Sequence, residues 1–280
     1  MTGKERIKNV LNHRAADAIA VDFGSSPVSG IHCKAVEGLR RYYKLDDHPV
    51  KVHEPGQMLG LVEDDLAEAM GIDTYGCFAA SNGFGIPIKD WKPFKMPWGQ
   101  TVMFPAQLAD TIMEKDGTLY AFPQGDTSVP PSVMMPERCL YFDCIERQKG
   151  EIDDSELDVA DNLEEFGDLS AEEVAHWKTE IEKADASGRA VVANLGGLAL
   201  GDVGLILAPG LKNPKGIRQI AEWYMSTVAR QDYIHELFAR QTEIAIRNLE
   251  RVYSAVGNKI DVVFVCGTDF GTQTSQFCSE

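Results

Sequence analysis

Positive charge is what this 280-residue chain most lacks: 27 Lys and Arg face 43 Asp and Glu, a formal charge of −16. Phosphate backbones are gripped by fields of Lys and Arg, so a broad nucleic-acid surface is excluded. Long apolar runs are also missing. The best stretch, VVANLGGLALGDVGLILAPG (191–210), is broken by Asn194, Asp202 and several glycines. A membrane-spanning helix needs about 20 mainly apolar residues, so none is expected. The opening TGKERIKNVLNHR has no apolar segment, and a secretory signal is not expected either. Paired cysteine motifs are absent. Cys33, Cys77, Cys139, Cys144, Cys266 and Cys278 are scattered with no C-x-x-C, the pattern of free thiols in a reducing cytoplasm.

Familiar catalytic signatures are missing as well. There is no G-x-S-x-G elbow and no H-E-x-x-H. GFGIP (83–87) and GGLALGDVG (196–204) lack G-x-G-x-x-G spacing, and GNKIDVVF is not a phosphate loop. His32 and Cys33 are adjacent and Cys139 and Cys144 are five apart, poor spacings for a tetrahedral zinc site. His13, His48, His53, His176 and His235 have no spacing that recruits them. Trp91, Phe94, Trp98 and Phe104 offer faces for a flat ligand, but they read better as local core.

What is present is an alternation of strands and helices. Thr2 and Glu5 form a capping-box pattern ahead of Ile7, Val10 and Leu11, and Ser170 and Glu173 form another ahead of Val174, Trp177, Ile181 and Ala184. Strands are expected at 18–24, 72–77, 189–197 and over IDVVFV (260–265), the last covered on both faces. Helices are expected at 32–45 and 61–71, at 217–228 with Ile217, Ile220, Ala221, Tyr224 and Val228 inward, and over 232–256. Residues 200–210 fit a strand or a short helix. Residues 80–150 are rich in Pro, Gly and aromatics and carry hairpin signals in GQTVMFP and GTLYAFP. This excursion is expected to be a lid or subdomain. The acidic run 151–173 is expected to be a solvated, partly helical insert.

The order implies an α/β fold, either a barrel or an open sheet. In such folds the carboxyl ends of the strands carry the site. Polar residues cluster beyond the expected strands at Asp22, Asp73, Asn194 and Asp269. Asp269 and Asn194 are the candidate catalytic groups. Asp22, Gly24, Thr268, Gly271 and Gln273 are the candidate ligand-binding residues, with glycine allowing close backbone approach.

The stretches GKERIKNVLNHRAADAIAVDFG, SPVSGIHCKAVEGLRRYYKL, LAEAMGIDTYG, FPQGDTSVPPS, LDVADNLEEFGDLS, NLGGLALGDVG, NPKGIRQIAEWYM and DVVFVCGTDFGTQTS resemble the uroporphyrinogen decarboxylase superfamily. The resemblance is nearest its decarboxylase-like and corrinoid-linked methyltransferase branch. It implies a (β/α)8 TIM barrel forming a single domain over 1–280, and different chemistry in two branches. Decarboxylases of that family hold a tetrapyrrole on an aspartate and use arginines in an R-Q-A-G-R-like motif. Here DFGSSPVSG stands in that place, which disfavours tetrapyrrole decarboxylation. The methyltransferases activate a thiol on zinc, held by a His-x-Cys pair and a distant Cys, and exchange a methyl group with a corrinoid. This chain has no such pair after DFGTQ, and Gln276 precedes Cys278 where a His would be needed.

About four or five barrel strands are expected, where closure takes eight. The resemblance therefore implies an incomplete barrel, the N-terminal part of a zinc- and corrinoid-linked methyltransferase. No metal or cofactor site is expected within this chain, and the chain alone is expected to be inactive. Its open edge calls for a second copy or another polypeptide, and a corrinoid protein is an implied partner. A tetrapyrrole decarboxylase and a noncatalytic corrinoid-binding or interaction protein are the alternatives.

Overall fold

Helix α1 (Gly3–Leu11) starts at its capping box: Glu5 N–H donates to Thr2 Oγ1 at 3.2 Å and Thr2 N–H to Glu5 Oε2 at 2.8 Å. The structure, a computed structural model, describes residues 1–195, 202–267, 271 and 274–276. The apolar side of α1 is not what docks it. No residue of the helix is buried, and Val10 and Leu11 are exposed. Its basic residues dock it instead, as set out below.

The expected strand at 18–24 is not formed. Val21 begins like one, accepting from Asp73 N–H and donating to Asp73 Oδ2, both at 2.9 Å. The Asp73 side chain thus takes a bond that a neighbouring strand's backbone would make. Gly24 then turns the chain away at φ 80°.

Helix α2 (Cys33–Tyr42) buries Cys33 and Val36 against β1 (Val50–Glu54), which pairs antiparallel with β2 (Leu59–Gly60). Neither strand is expected from the sequence. Helix α3 (Asp64–Met70) ends at Gly71, which adopts φ 67° as a helix-stopping glycine should. It leads into β3 (Thr74–Cys77).

Residues 80–150 contain the two expected hairpins. β4 (Trp91–Lys95) pairs with β5 (Thr101–Pro105), and β5 also pairs parallel with β1. A short helix α4 (Ala106–Thr111) leads to β6 (Met113–Lys115), β7 (Thr118–Ala121), β8 (Val133–Met135) and β9 (Asp143–Cys144), an antiparallel meander. The excursion is not self-contained. Its Phe84, Phe104 and Met135 share one core with Cys33, Val52 and Leu66. Phe94 and Phe104 pack at 5.4 Å within it, so the local-core reading holds for them.

The acidic run is less solvated than expected. A 3-10 turn at Val159–Leu163 buries Val159 and Asn162, and Val159 belongs to the cluster of Ile217, Trp223 and Leu237. Helix α5 (Ala171–Ala186) begins at the second capping box and buries Trp177, Ile181 and Ala184. Next come β10 (Ala190–Ala193), short helix α6 (Val203–Ile206), α7 (Ile220–Ala229), α8 (Gln231–Val256) and β11 (Val262–Val263). In α7 the inward residues are Trp223 and Ser226, while Ile220 and Val228 are exposed. The large indole takes the buried face, rotating the helix from the expected stripe. In α8 the expected stripe is seen, with Ile234, Leu237, Gln241, Ala245 and Val252 buried.

Strands β3, β10 and β11 form a parallel sheet in the order β11-β10-β3, so the molecule is mixed α/β. Tyr75, Cys77, Val191 and Ala193 face α5 and α8 on one side. Among the described residues this sheet has three strands and does not close on itself. β11 is an edge strand and is not covered on both faces as expected: Val263 is 36 % and Val265 55 % exposed.

Helix α1 locks the amino ends of these strands. Asp73 and Asp261 immediately precede β3 and β11, and both side chains are buried. Arg6 pairs with Asp73, and Lys4 reaches Asp185 at 2.6 Å and Asp261 at 3.1 Å. Burial works against the charge on Lys4, but hydrogen bonds to Asp185 and Asp261 hold its pKa above the usual range. Removing one partner of a buried pair leaves an uncompensated charge, at a cost of about 3 kcal/mol. Arg6→Ala takes the cation from the buried Asp73 carboxylate and is therefore expected to lower stability, measured as a shift in urea unfolding. A change below about 0.5 kcal/mol, typical of a surface site, would remove the clasp from this account.

Candidate functional site

The carboxyl ends of β3 and β10 meet at Asn194. This residue directly follows β10, and its Nδ2 donates to Ser25 O at 2.7 Å and Cys77 O at 3.1 Å. Among the described residues its buried Oδ1 has no hydrogen-bond partner, nor has Ser25 Oγ. Each such orphan costs about 1–3 kcal/mol. The chain from Asp22 to Ser26 crosses β3 here, and Gly76 makes the crossing possible. A Cβ at Gly76 would lie 2.6 Å from Ser25 O and 2.7 Å from Ser25 Cα.

The expected site residues divide into three groups. Asn194 stands at this end of the sheet, beside Ser25. Asp22 is a correction: its Oδ1 accepts from Thr74 Oγ1 at 2.6 Å, and Thr74 is the first residue of β3, at the amino end. Gly24 N–H donates to Ser29 O at 2.7 Å. Gly271 lies in an exposed bridge with Gln276. Thr268, Asp269 and Gln273 lie outside the described residues, as does Cys278. Asp73 is a correction: it sits at the amino end of β3, not beyond its carboxyl end. It pairs there with Arg6 because a buried carboxylate needs a cation.

Cys266 was not among the expected site residues. It follows β11, and its Sγ lies 2.6 Å from Asp202 Oδ2. Asp202 also caps α6 through Oδ1. This thiol–carboxylate contact joins two carboxyl-end loops. Its only sequence signal was the position of Cys266 after an apolar run. The deeper thiols are inert by comparison: burial pushes Cys33 and Cys77 up to about 12 and Cys144 to about 11. Cys33, Cys77, Cys139 and Cys144 are free thiols. His32 caps α2 through Nδ1 and holds no metal-ligand set. Among the described residues no three His, Cys, Asp or Glu side chains group to hold a metal ion. Nor is any helix among them long and apolar enough to cross a membrane.

Beside this end of the sheet is a cleft of about 410 Å³ between β3 and β1. Val50 and Val52 point from β1 into the core, so Lys51 and His53 point the other way, into the cleft. His53 is 8 % exposed and stacks on Phe78 with ring centroids 4.5 Å apart. Burial pushes its imidazole down from 6.5 to about 4, so it is neutral at pH 7. His53 had no sequence signal beyond the alternation VKVH, which a strand assignment at 50–54 would have exposed.

No family model, curated protein or solved structure matches the chain.

Two expectations follow. Gly76→Ala should push the Ser25 backbone off β3 and cost about 1–3 kcal/mol by overpacking, read from thermal unfolding; an unchanged midpoint would contradict the close crossing. His53 sets a pH dependence. The unfolded chain takes up a proton near 6.5 that the folded protein does not accept until about 4, so stability falls as pH drops through that window. His53→Phe keeps a ring against Phe78 and should flatten this part of the pH profile of urea midpoints. A parallel profile for the variant would show that the imidazole does not titrate with folding.

Proposed function

We propose that this chain supplies the first strands of a uroporphyrinogen decarboxylase-type barrel and belongs to its corrinoid-linked methyltransferase branch. The support is the winding of β3, β10 and β11, parallel and neighbouring in chain order. Intervening α5 and α8 cover one face. Sequential parallel strands with helices outside are the repeating unit of a barrel. The resemblance in residue motifs supplies the family, and the order of strands is consistent with it.

The observation that carries a ligand to this place is the orphan acceptor Asn194 Oδ1. A buried acceptor is relieved by an N–H or O–H donor. A corrinoid carries carboxamide N–H groups around its ring and would supply such a donor. Asn194 would orient the macrocycle through this bond. A bound corrinoid supplies the methyl-transfer chemistry itself. The zinc implied by the resemblance finds no donor set among the described residues, so no step is routed through it. The Cys266 thiol lies beside Asp202 on the same end of the sheet.

Titration with methylcob(III)alamin, followed by quenching of tryptophan fluorescence, tests this reading. Saturable binding is expected, weakened about tenfold in Asn194→Leu, the equivalent of one net hydrogen bond of about 1.4 kcal/mol. Failure of the native protein to bind would sink the reading. So would preferential binding or decarboxylation of uroporphyrinogen, which would move the chain to the decarboxylase branch.

A further inference from the structure

The cleft between β1 and β3 holds features that the carboxyl-end site does not use. His53 projects into it from β1, nine-tenths buried. Its imidazole makes the ring contact with Phe78 and no hydrogen bond among the described residues. A neutral imidazole carries one donor and one acceptor, and both are unused. Ser25 Oγ, also lining the cleft and 2 % exposed, has no partner either. Buried polar groups are nearly always paired, so the unpartnered Ser25 Oγ, with the open imidazole positions of His53 facing the same cavity, favours a polar guest there.

The walls define its shape. Phe78 is held from behind, since its carbonyl accepts from or contacts His176 Nε2 at 2.9 Å. Phe23 and Trp91 add further ring surface, and Phe23 is 47 % exposed at the mouth. Rings lining a narrow cleft favour a flat guest that stacks or packs edge to face. A volume of about 410 Å³ lies within the range of small-molecule sites, about 300–1,000 Å³.

The rim defines its charge. Lys51 is paired with Glu63 at 2.9 Å, and Arg189 with Asp64. Lys183 lies over the Tyr75 ring at 5.8 Å, and Glu180 stands one turn away on α5. Cations and carboxylates therefore balance around the opening. A charged guest would lose its water here without gaining an unpaired counter-charge in the interior.

We propose that this cleft binds a flat, uncharged nitrogen heteroaromatic molecule, hydrogen-bonded to His53 and Ser25 and packed against Phe78 and Trp91. The site is separate from the corrinoid reading and does not depend on it, because Asn194 does not line this cleft.

Indazole, which has adjacent donor and acceptor nitrogens, is the probe, with indazole-6-carboxylate as its charged counterpart. Ligand-observed NMR titrations should give saturable indazole binding, at least tenfold tighter than the carboxylate. His53→Phe should weaken indazole at least tenfold. Long-range ¹H–¹⁵N spectra of the native protein supply a readout that no variant's folding can disturb: the His53 ring nitrogens should shift on adding indazole. Absence of saturable binding, tighter binding of the carboxylate, or unmoved His53 nitrogens would each overturn the proposal. Methylcob(III)alamin competing with indazole would also overturn it, by merging this cleft with the other site.

Discussion

Two buried carboxylates hold the parallel sheet in register. Asp73 accepts from Ala190 N–H through its backbone carbonyl at 2.8 Å, while its side chain binds Val21 and Arg6. Asp261 donates its own N–H to Val191 O at 3.0 Å and accepts Val191 N–H on Oδ2 at 2.9 Å. β10 is thus gripped from both sides at its first residues. Burying an unpaired charge is far costlier than any bond it makes. Helix α1 resolves this by placing Lys4 and Lys8, one turn apart on one face, against Asp261, and Arg6 against Asp73. The helix buries no apolar residue, so its attachment is electrostatic. A short amphipathic helix at the start of the chain has become a charged plug for the amino ends of three strands.

That arrangement explains which parts of the sequence were readable. Capping boxes at Thr2/Glu5 and Ser170/Glu173, the αL stop at Gly71 and the single stripe of α8 are local, and each appears where its pattern lies. The strand at 18–24 is not local. Its pairing is taken over at Val21 by a side chain more than fifty residues away, and no periodicity reports that. β1 and β2 were unreadable for another reason. β1 joins β5 in parallel, so its pattern makes sense only once the later hairpin is in place. The inward face of α7 turned on the bulk of Trp223, which a count of aliphatic positions underweights.

The site was half legible. Rules about strand ends pointed to Asn194, Gly24 and Asp22; Asn194 follows β10, while Asp22 binds Thr74 at the start of β3. The same rules misplaced Asp73, because polarity next to a strand does not say which end it occupies. Cys266 and His53 had no motif to announce them. Cys266 depends on Asp202 across a helical connection, and His53 on a wall built from another sheet.

The two ends of the parallel sheet follow opposite electrostatic rules. At the amino end every buried charge on Asp73 and Asp261 is answered by a cation or a backbone N–H. At the carboxyl end Asn194 Oδ1 and Ser25 Oγ are left unanswered, and His53 nearby is kept neutral and unbonded. A fold selected only for stability would remove such orphans, since replacing them with apolar groups of similar shape is nearly neutral. Full satisfaction at one end shows that this sequence can solve the pairing problem. The unpaired acceptor of Asn194 lies at the opposite end, where Ser25 passes so close to Gly76 that a Cβ there would be 2.6 Å from its carbonyl oxygen.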